Sequence, residues 1–203
     1  MIATQTVQPD HIEIVNDEPL SDVCDITYRY RIGYDRLRNK GFDVIFLMED
    51  DDFYSPDYIE KMLDAWFNYS MPDIFGTEYT IYYHIGLFAW FEFQHFNRSS
   101  AMSTIIKPDL DFAWCPDWEP YTDMHLWRVL KGLTFKPSKH ICLGIKHGTT
   151  MSGGHSHITR LHRYRNIDVN KELLRSTMDP ESFNFYTDFL YNKIKNEVKS
   201  VMF

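Results

Sequence analysis

Residues 43–60 read DVIFLMEDDDFYSPDYIE, and this stretch decides the fold. The run 44–48 is continuously apolar, as expected of a strand buried on both faces; a half-exposed strand would alternate. It stops abruptly at Glu49, Asp50, Asp51 and Asp52. Four adjacent carboxylates repel one another unless a cation or water screens them, so this loop calls for a neutralising partner. Hard oxygen ligands suit Mg²⁺ or Mn²⁺, which take one or two carboxylates and complete their shell with water and phosphate, so a diphosphate is the natural third party. The alternative is a solvated acidic turn at the head of the next helix, where the macrodipole favours negative charge. Ser55 as N-cap and Pro56 at the first helical position predict that helix, running through Ile59, Met62, Leu63 and Trp66.

Working outward, residues 11–15 alternate polar and apolar and end on Asn16 and Asp17, as a strand entering a loop does. Ile26, Tyr30, Tyr34 and Leu37 predict a helix over 22–40, with Gly41 as its stop. Strand, helix, strand, helix implies a right-handed parallel βαβ arrangement, whose ligands bind at the carboxyl ends of the strands. Asp17 and the acidic run both lie at such ends. Residues 74–93, with Gly76 and Gly86 as breaks, and 101–107 read as further strands of a mixed-sheet middle. A short helix is expected over 120–130, a strand over 141–146 and a Gly/Ser/His loop over 147–157. Asp179 caps a final helix with Pro180 in its first turn, and Phe183, Phe189, Leu190, Ile194 and Val198 are expected to dock on the body.

The chain has 203 residues and no repeat, low-complexity run or Gly/Ser linker, which points to one domain over 1–203. Its formal net charge of -8 is the wrong sign for binding a phosphate backbone, so no nucleic-acid partner is expected. Cys24, Cys115 and Cys142 are odd in number and lack C-x-x-C spacing, which argues against a disulfide framework or a thiolate zinc site and for a reducing compartment. The longest uncharged stretch, 79–91, is too short to span a bilayer and contains His84. The expectation is a cytoplasmic protein, compatible with peripheral association at the inner face of a membrane. An unpaired sheet edge would also favour homo-oligomers.

An apolar strand, an acid-x-Asp-Asp and an aromatic turn into Pro-Asp-Tyr-Ile-Glu resemble the D-x-D region of family-2 glycosyltransferases. Upstream, QTVQPDHIEIVNDE at 5–18 resembles the end of that family's first helix and its second strand; downstream, YTDMHLWRVLKG at 121–132 resembles its Glu-Asp helix, and IKHG at 145–148 a later strand and loop. The resemblance implies an α/β, GT-A-like domain: a mixed, mostly parallel sheet flanked by helices. It divides the chain into a nucleotide-sugar- and metal-binding part over 1–115, an acceptor and catalytic part over 116–160 and a C-terminal helical tail over 161–203. The family normally places a strand and most of a helix before the segment at Gln5, and the resemblance leaves that βα unit out. Thr122 stands where the family often has Glu.

Carried over residue by residue, the resemblance implies that Asp17 contacts the nucleoside and Glu49 the ribose or a metal-bound water. Asp51 ligates Mn²⁺ or Mg²⁺, with Asp52 and His147 as further metal ligands, and Asp50 is the variable position beside the cofactor. A one-residue slip would select Asp50 and Asp52 instead. Asp123 is the expected catalytic base on the acceptor hydroxyl; the alternative is a helix-surface or capping carboxylate. His155 and His157 compete with His147 as ligands. Arg163, with Arg160, Arg165 and His162, forms a basic cluster that either neutralises the leaving phosphates or faces solvent. Asp117, Trp118 and Glu119 either line an acceptor pocket or form a surface turn. The expected partners are a UDP- or GDP-sugar donor and a glycan or lipid-linked acceptor, with transfer by inversion; a retaining mechanism stays open. The rivals are a metal-dependent nucleotidyl- or phosphotransferase, and a degenerate domain that binds nucleotide or glycan without turnover.

Overall fold

The apolar run at 44–48 forms paired strand only at its centre, β1 (Ile45–Phe46), yet its residues alternate faces as a strand buried on both sides requires. The computed structural model describes residues 2–18, 23–147, 160–190 and 192. In chain order the remaining strands are β2 (Phe53–Tyr54), β3 (Ile74–Thr77), β4 (Tyr79–His84), β5 (Ala89–Gln94), β6 (Thr104–Ile106), β7 (Gly132–Phe135), β8 (Cys142–Lys146) and β9 (Asn166–Ile167). The helices are α1 (Asp25–Leu37), α2 (Tyr58–Asn68), α3 (Thr122–Val129), α4 (Glu172–Thr177) and α5 (Pro180–Asn184). They form one α/β domain around two sheets, ordered β1-β6-β3-β7 and β2-β8-β4-β5-β9.

The sheets are mixed, and the expectation of mostly parallel strands is corrected. Only β3 with β7 and β4 with β8 run parallel among the described residues; β1–β6, β3–β6, β2–β8, β4–β5 and β5–β9 are antiparallel. The reason is local. Glu78 alone separates β3 from β4, so the chain passes from one sheet directly into the other without a crossover helix. The tight turn at 85–88 then forces β5 back antiparallel.

Side-chain alternation sorts the first sheet between two cores. Ile45, Ile74 and Ile106 face α1 and α3 through Tyr30, Tyr34, Leu126 and Trp127. Phe75 and Ile105 face the other way, against Tyr58, Ile59, Met62 and Trp66 of α2. The second sheet buries Ile81, Tyr83, Leu143 and Ile145 against Leu174, Met178 and Tyr186. Of the side chains expected to dock from the final helix, Phe183 packs on this core, and those of Phe189 and Leu190 lie outside the described residues. Asp179 caps α5 by accepting from the N–H groups of Glu181 and Ser182. Ile194 and Val198 lie outside the described residues, as do His155, His157 and the rest of 148–159.

Several elements differ from expectation. Residues 11–15 form no strand; Ile12 and Ile14 are exposed, and ion pairs from Glu13 and Asp17 to Arg36 hold the segment against α1. Helix α2 starts after Asp57 because Ser55 is buried, donating to Asp57 and accepting from Gln5 Nε2 through its carbonyl. β7, β9 and α4 were not expected. Gly76 does not break a strand but sits inside β3, where a Cβ would come within 2.5 Å of the Ser103 carbonyl oxygen. No helix among the described residues is long and apolar enough to cross a membrane.

Two tests follow from this packing. Gly76→Ala should cost about 1–3 kcal/mol in urea unfolding, because backbone rather than a movable side-chain end meets the new methyl. His95 is buried, with Nε2 3.0 Å from Thr80 Oγ1, and burial, reinforced by Arg98, lowers its pKa to about 4. Its folded pKa lies below the unfolded value of about 6.5, so the unfolded chain binds the extra proton between them. That stability is complete above the unfolded pKa and is lost as pH falls toward the folded one. Wild type should lose more stability between pH 7 and pH 5 than His95→Phe does, whereas parallel losses in chemical melts would exclude the histidine as the cause.

Candidate metal centre

The acidic run fills the turn that carries the chain from the first sheet to the second. Leu47 is still tied to the first sheet through its N–H to the Thr104 carbonyl, and Phe53 already pairs with Leu143 of β8. The Glu49 N–H donates to the Tyr54 hydroxyl at 2.8 Å and closes the turn. This geometry sorts the carboxylates: Asp50 is exposed, Glu49 and Asp51 are half-buried, and Asp52 is fully buried. One oxygen from each of Glu49, Asp51 and Asp52 lies within 4.8 Å of the other two. Asp50 is not part of that convergent set.

Each member has a different environment. Glu49 Oε1 accepts from Tyr30 on α1 at 3.1 Å, and burial raises its pKa against the pull of Lys146. Asp51 Oδ2 lies 3.2 Å from His147 Nε2; burial pushes this carboxyl up, but His147 and Lys146 outweigh it and leave the pKa below the usual value. Asp52 Oδ1 accepts the Ile145 N–H at 2.7 Å and lies 3.8 Å from Lys146 Nζ. Its Oδ2 is buried with no hydrogen-bond partner among the described residues. Burial pushes the Asp52 carboxyl well above the usual range despite Lys146, with Glu49 and Asp51 adding to the rise.

These residues fit a hard divalent cation. Bonds of 2.0–2.1 Å to a shared Mg²⁺ keep any two oxygens within about 4.2 Å, so the cluster would have to draw together to share one ion. An oxygen buried without a donor is what such an ion satisfies. A helix-capping turn would instead aim its carboxylates at the N–H groups of α2, whose N-cap residue Asp57 makes no side-chain cap.

The other expected residues are placed as follows. Asp123 lies in the first turn of α3, where it does not cap the helix but accepts from Arg98 Nη1. Burial raises its pKa although Arg98 opposes the rise, and its charge reaches Glu49. Thr122 beside it is buried against Cys115. Asp17 is paired with Arg36 at 2.9 Å on the surface of α1. Arg163 is exposed and lies over the Phe93 ring, while the Arg165 Nε donates to the His162 carbonyl. Neither Asp17 nor Arg163 belongs to the acidic cluster. Asp117 is held by two parallel bonds from Arg31 at 2.8 and 2.7 Å, a structural clamp on α1, and Trp118 is exposed.

Sequence reasoning missed Lys146, Tyr30 and Arg98. A lysine closing an otherwise apolar strand, CLGIK, was the available signal for Lys146. Tyr30 was legible only as a core position, and nothing marked Arg98. No family model, curated protein or solved structure matches the chain.

Mn²⁺ should raise the thermal melting point of wild type and of Asp50→Asn alike, and should leave Asp51→Asn unchanged. A response lost in Asp50→Asn but kept in Asp51→Asn would move the cation to the other register.

Proposed function

We propose that the chain is a metal-dependent glycosyltransferase of GT-A-like fold that moves a sugar from a UDP- or GDP-sugar to a glycan or lipid-linked hydroxyl, with inversion. The observation that carries this reading is the convergence of Glu49, Asp51 and Asp52, with the buried Asp52 Oδ2 lacking a donor among the described residues. The resemblance of four ordered segments to family-2 glycosyltransferases supports the same assignment.

Glu49, Asp51 and Asp52 would hold Mn²⁺ or Mg²⁺, with His147 beside Asp51. When bound, the cation offsets the negative charge that builds on the leaving diphosphate. Asp123 would take the proton of the acceptor hydroxyl as its oxygen attacks the anomeric carbon and the bond to the diphosphate breaks. Arg98 holds one carboxylate oxygen of Asp123.

The same Arg98–Asp123 pair favours a second reading, binding of nucleotide or glycan without turnover, because the candidate base already has a partner. Donor hydrolysis with Mn²⁺ separates the two: sugar released from UDP- or GDP-sugars supports the transferase, binding without release supports the second reading, and cleavage of a nucleoside triphosphate supports a nucleotidyl- or phosphotransferase. In the transferase, Asp123→Asn should keep nucleotide and metal affinity but slow transfer by roughly 10²- to 10⁴-fold. Transfer at the wild-type rate by a normally melting variant would leave the base elsewhere.

A further inference from the structure

The acidic cluster already contains a cation of its own. The Lys146 side chain is 6% exposed, at the end of β8, which is paired on both sides by β2 and β4. Its Nζ lies 3.8 Å from Asp52 Oδ1 and 5.6 Å from the centre of the Tyr82 ring. The ammonium and the Asp52 carboxylate form a buried ion pair inside the cluster. With its side chain buried and its ammonium between the Asp52 carboxylate and the Tyr82 ring, Lys146 meets an arriving cation from inside the cluster.

We propose that Lys146 is the resident counter-cation of the Glu49–Asp51–Asp52 cluster: it holds down the affinity for a free divalent cation and favours entry of an anionic diphosphate once that cation is bound. This rests on the metal-centre reading given above. Carboxylates that ligate a cation are ionised, and in the loaded cluster the ammonium and one divalent cation together cancel the three negative charges. Without Lys146 the loaded cluster would keep a negative charge and oppose a diphosphate. With it, the cation meets an ammonium fixed a few ångströms away in a medium of reduced dielectric, a repulsion large enough to cost at least several-fold in affinity. Metal and diphosphate then bind best together, and the metal alone binds weakly.

The test is calorimetric titration of the full chain with Mn²⁺, followed by UDP and, separately, GDP at saturating Mn²⁺. Lys146→Met should bind Mn²⁺ alone roughly fivefold or more tightly than wild type, and the better-binding nucleotide several-fold more weakly. Lys146→Arg, which keeps the charge, should stay near wild type in both. If Lys146→Met does not fold, the comparison passes to Asp52→Asn against Asp52→Asn/Lys146→Met, which differ only by the ammonium; the double variant should again bind Mn²⁺ more tightly. Unchanged or weaker Mn²⁺ binding on removal of the ammonium from a folded variant overturns the role of Lys146 while leaving the metal centre standing. Absence of Mn²⁺ binding by both wild type and a folded Lys146→Met overturns both. Failure of both nucleotides to bind Mn²⁺-loaded wild type overturns the coupling to a diphosphate, and the Mn²⁺ comparison still decides whether Lys146 restrains the metal.

Discussion

Asp52 is a carboxylate with no solvent exposure at the junction of two sheets, and the arrangement around it follows from the need to match that charge. One oxygen is matched by the Ile145 N–H and the Lys146 ammonium, both from β8. Removing one member of such a pair typically costs about 3–5 kcal/mol, because it strands the other charge in a poor solvent. The pair therefore fixes how the strand after the acidic turn registers against β8, and with it the position of His147 beside Asp51. The second Asp52 oxygen has no such match among the described residues, so the junction is stable as a scaffold yet incomplete as a polar network.

Where the sequence pattern was local and periodic, the fold was legible. The apolar run at 44–48, the spacing of Tyr30 and Tyr34 on α1, and the Asp179-Pro180 cap each describe one element whose side chains decide its own form. What failed depended on distant partners. Residues 11–15 alternate as a strand should, but alternation states only a preference for two faces and supplies no neighbour; Arg36 and Arg29 of α1 took the segment instead. The parallel βαβ reading failed for a related reason. It needed residues 11–15 as a first strand parallel to 44–48, whereas that segment forms no strand and β1 pairs antiparallel with β6.

The candidate site was legible in its acids and not in its bases. Glu49, Asp51 and Asp52 are adjacent in sequence, so their mutual repulsion could be read directly, and burial then separated them from Asp50. Lys146 lies far along the chain from the carboxylate it neutralises, and Arg98 is separated from Asp123 by strand β6. Such pairs are created by topology, and no spacing rule exposes them. Asp17 and Arg163 show the converse. Their residue types suited a nucleotide site, but nearer partners, Arg36 and the Phe93 ring, hold them.

The two missed cations bear on how the site can work. Lys146 and Arg98 each hold a buried or nearly buried carboxylate, and Glu49 lies between them electrostatically, its ionisation opposed by both Asp51 and Asp123. If Asp123 is the base of the proposed transferase, its tie to Arg98 is the bond for which an acceptor hydroxyl would compete. A divalent cation held by Glu49, Asp51 and Asp52 would relieve that opposition at Glu49. Such an effect on Glu49 would run through charge alone and need no moving element, which suits a turn held at both ends by paired strands.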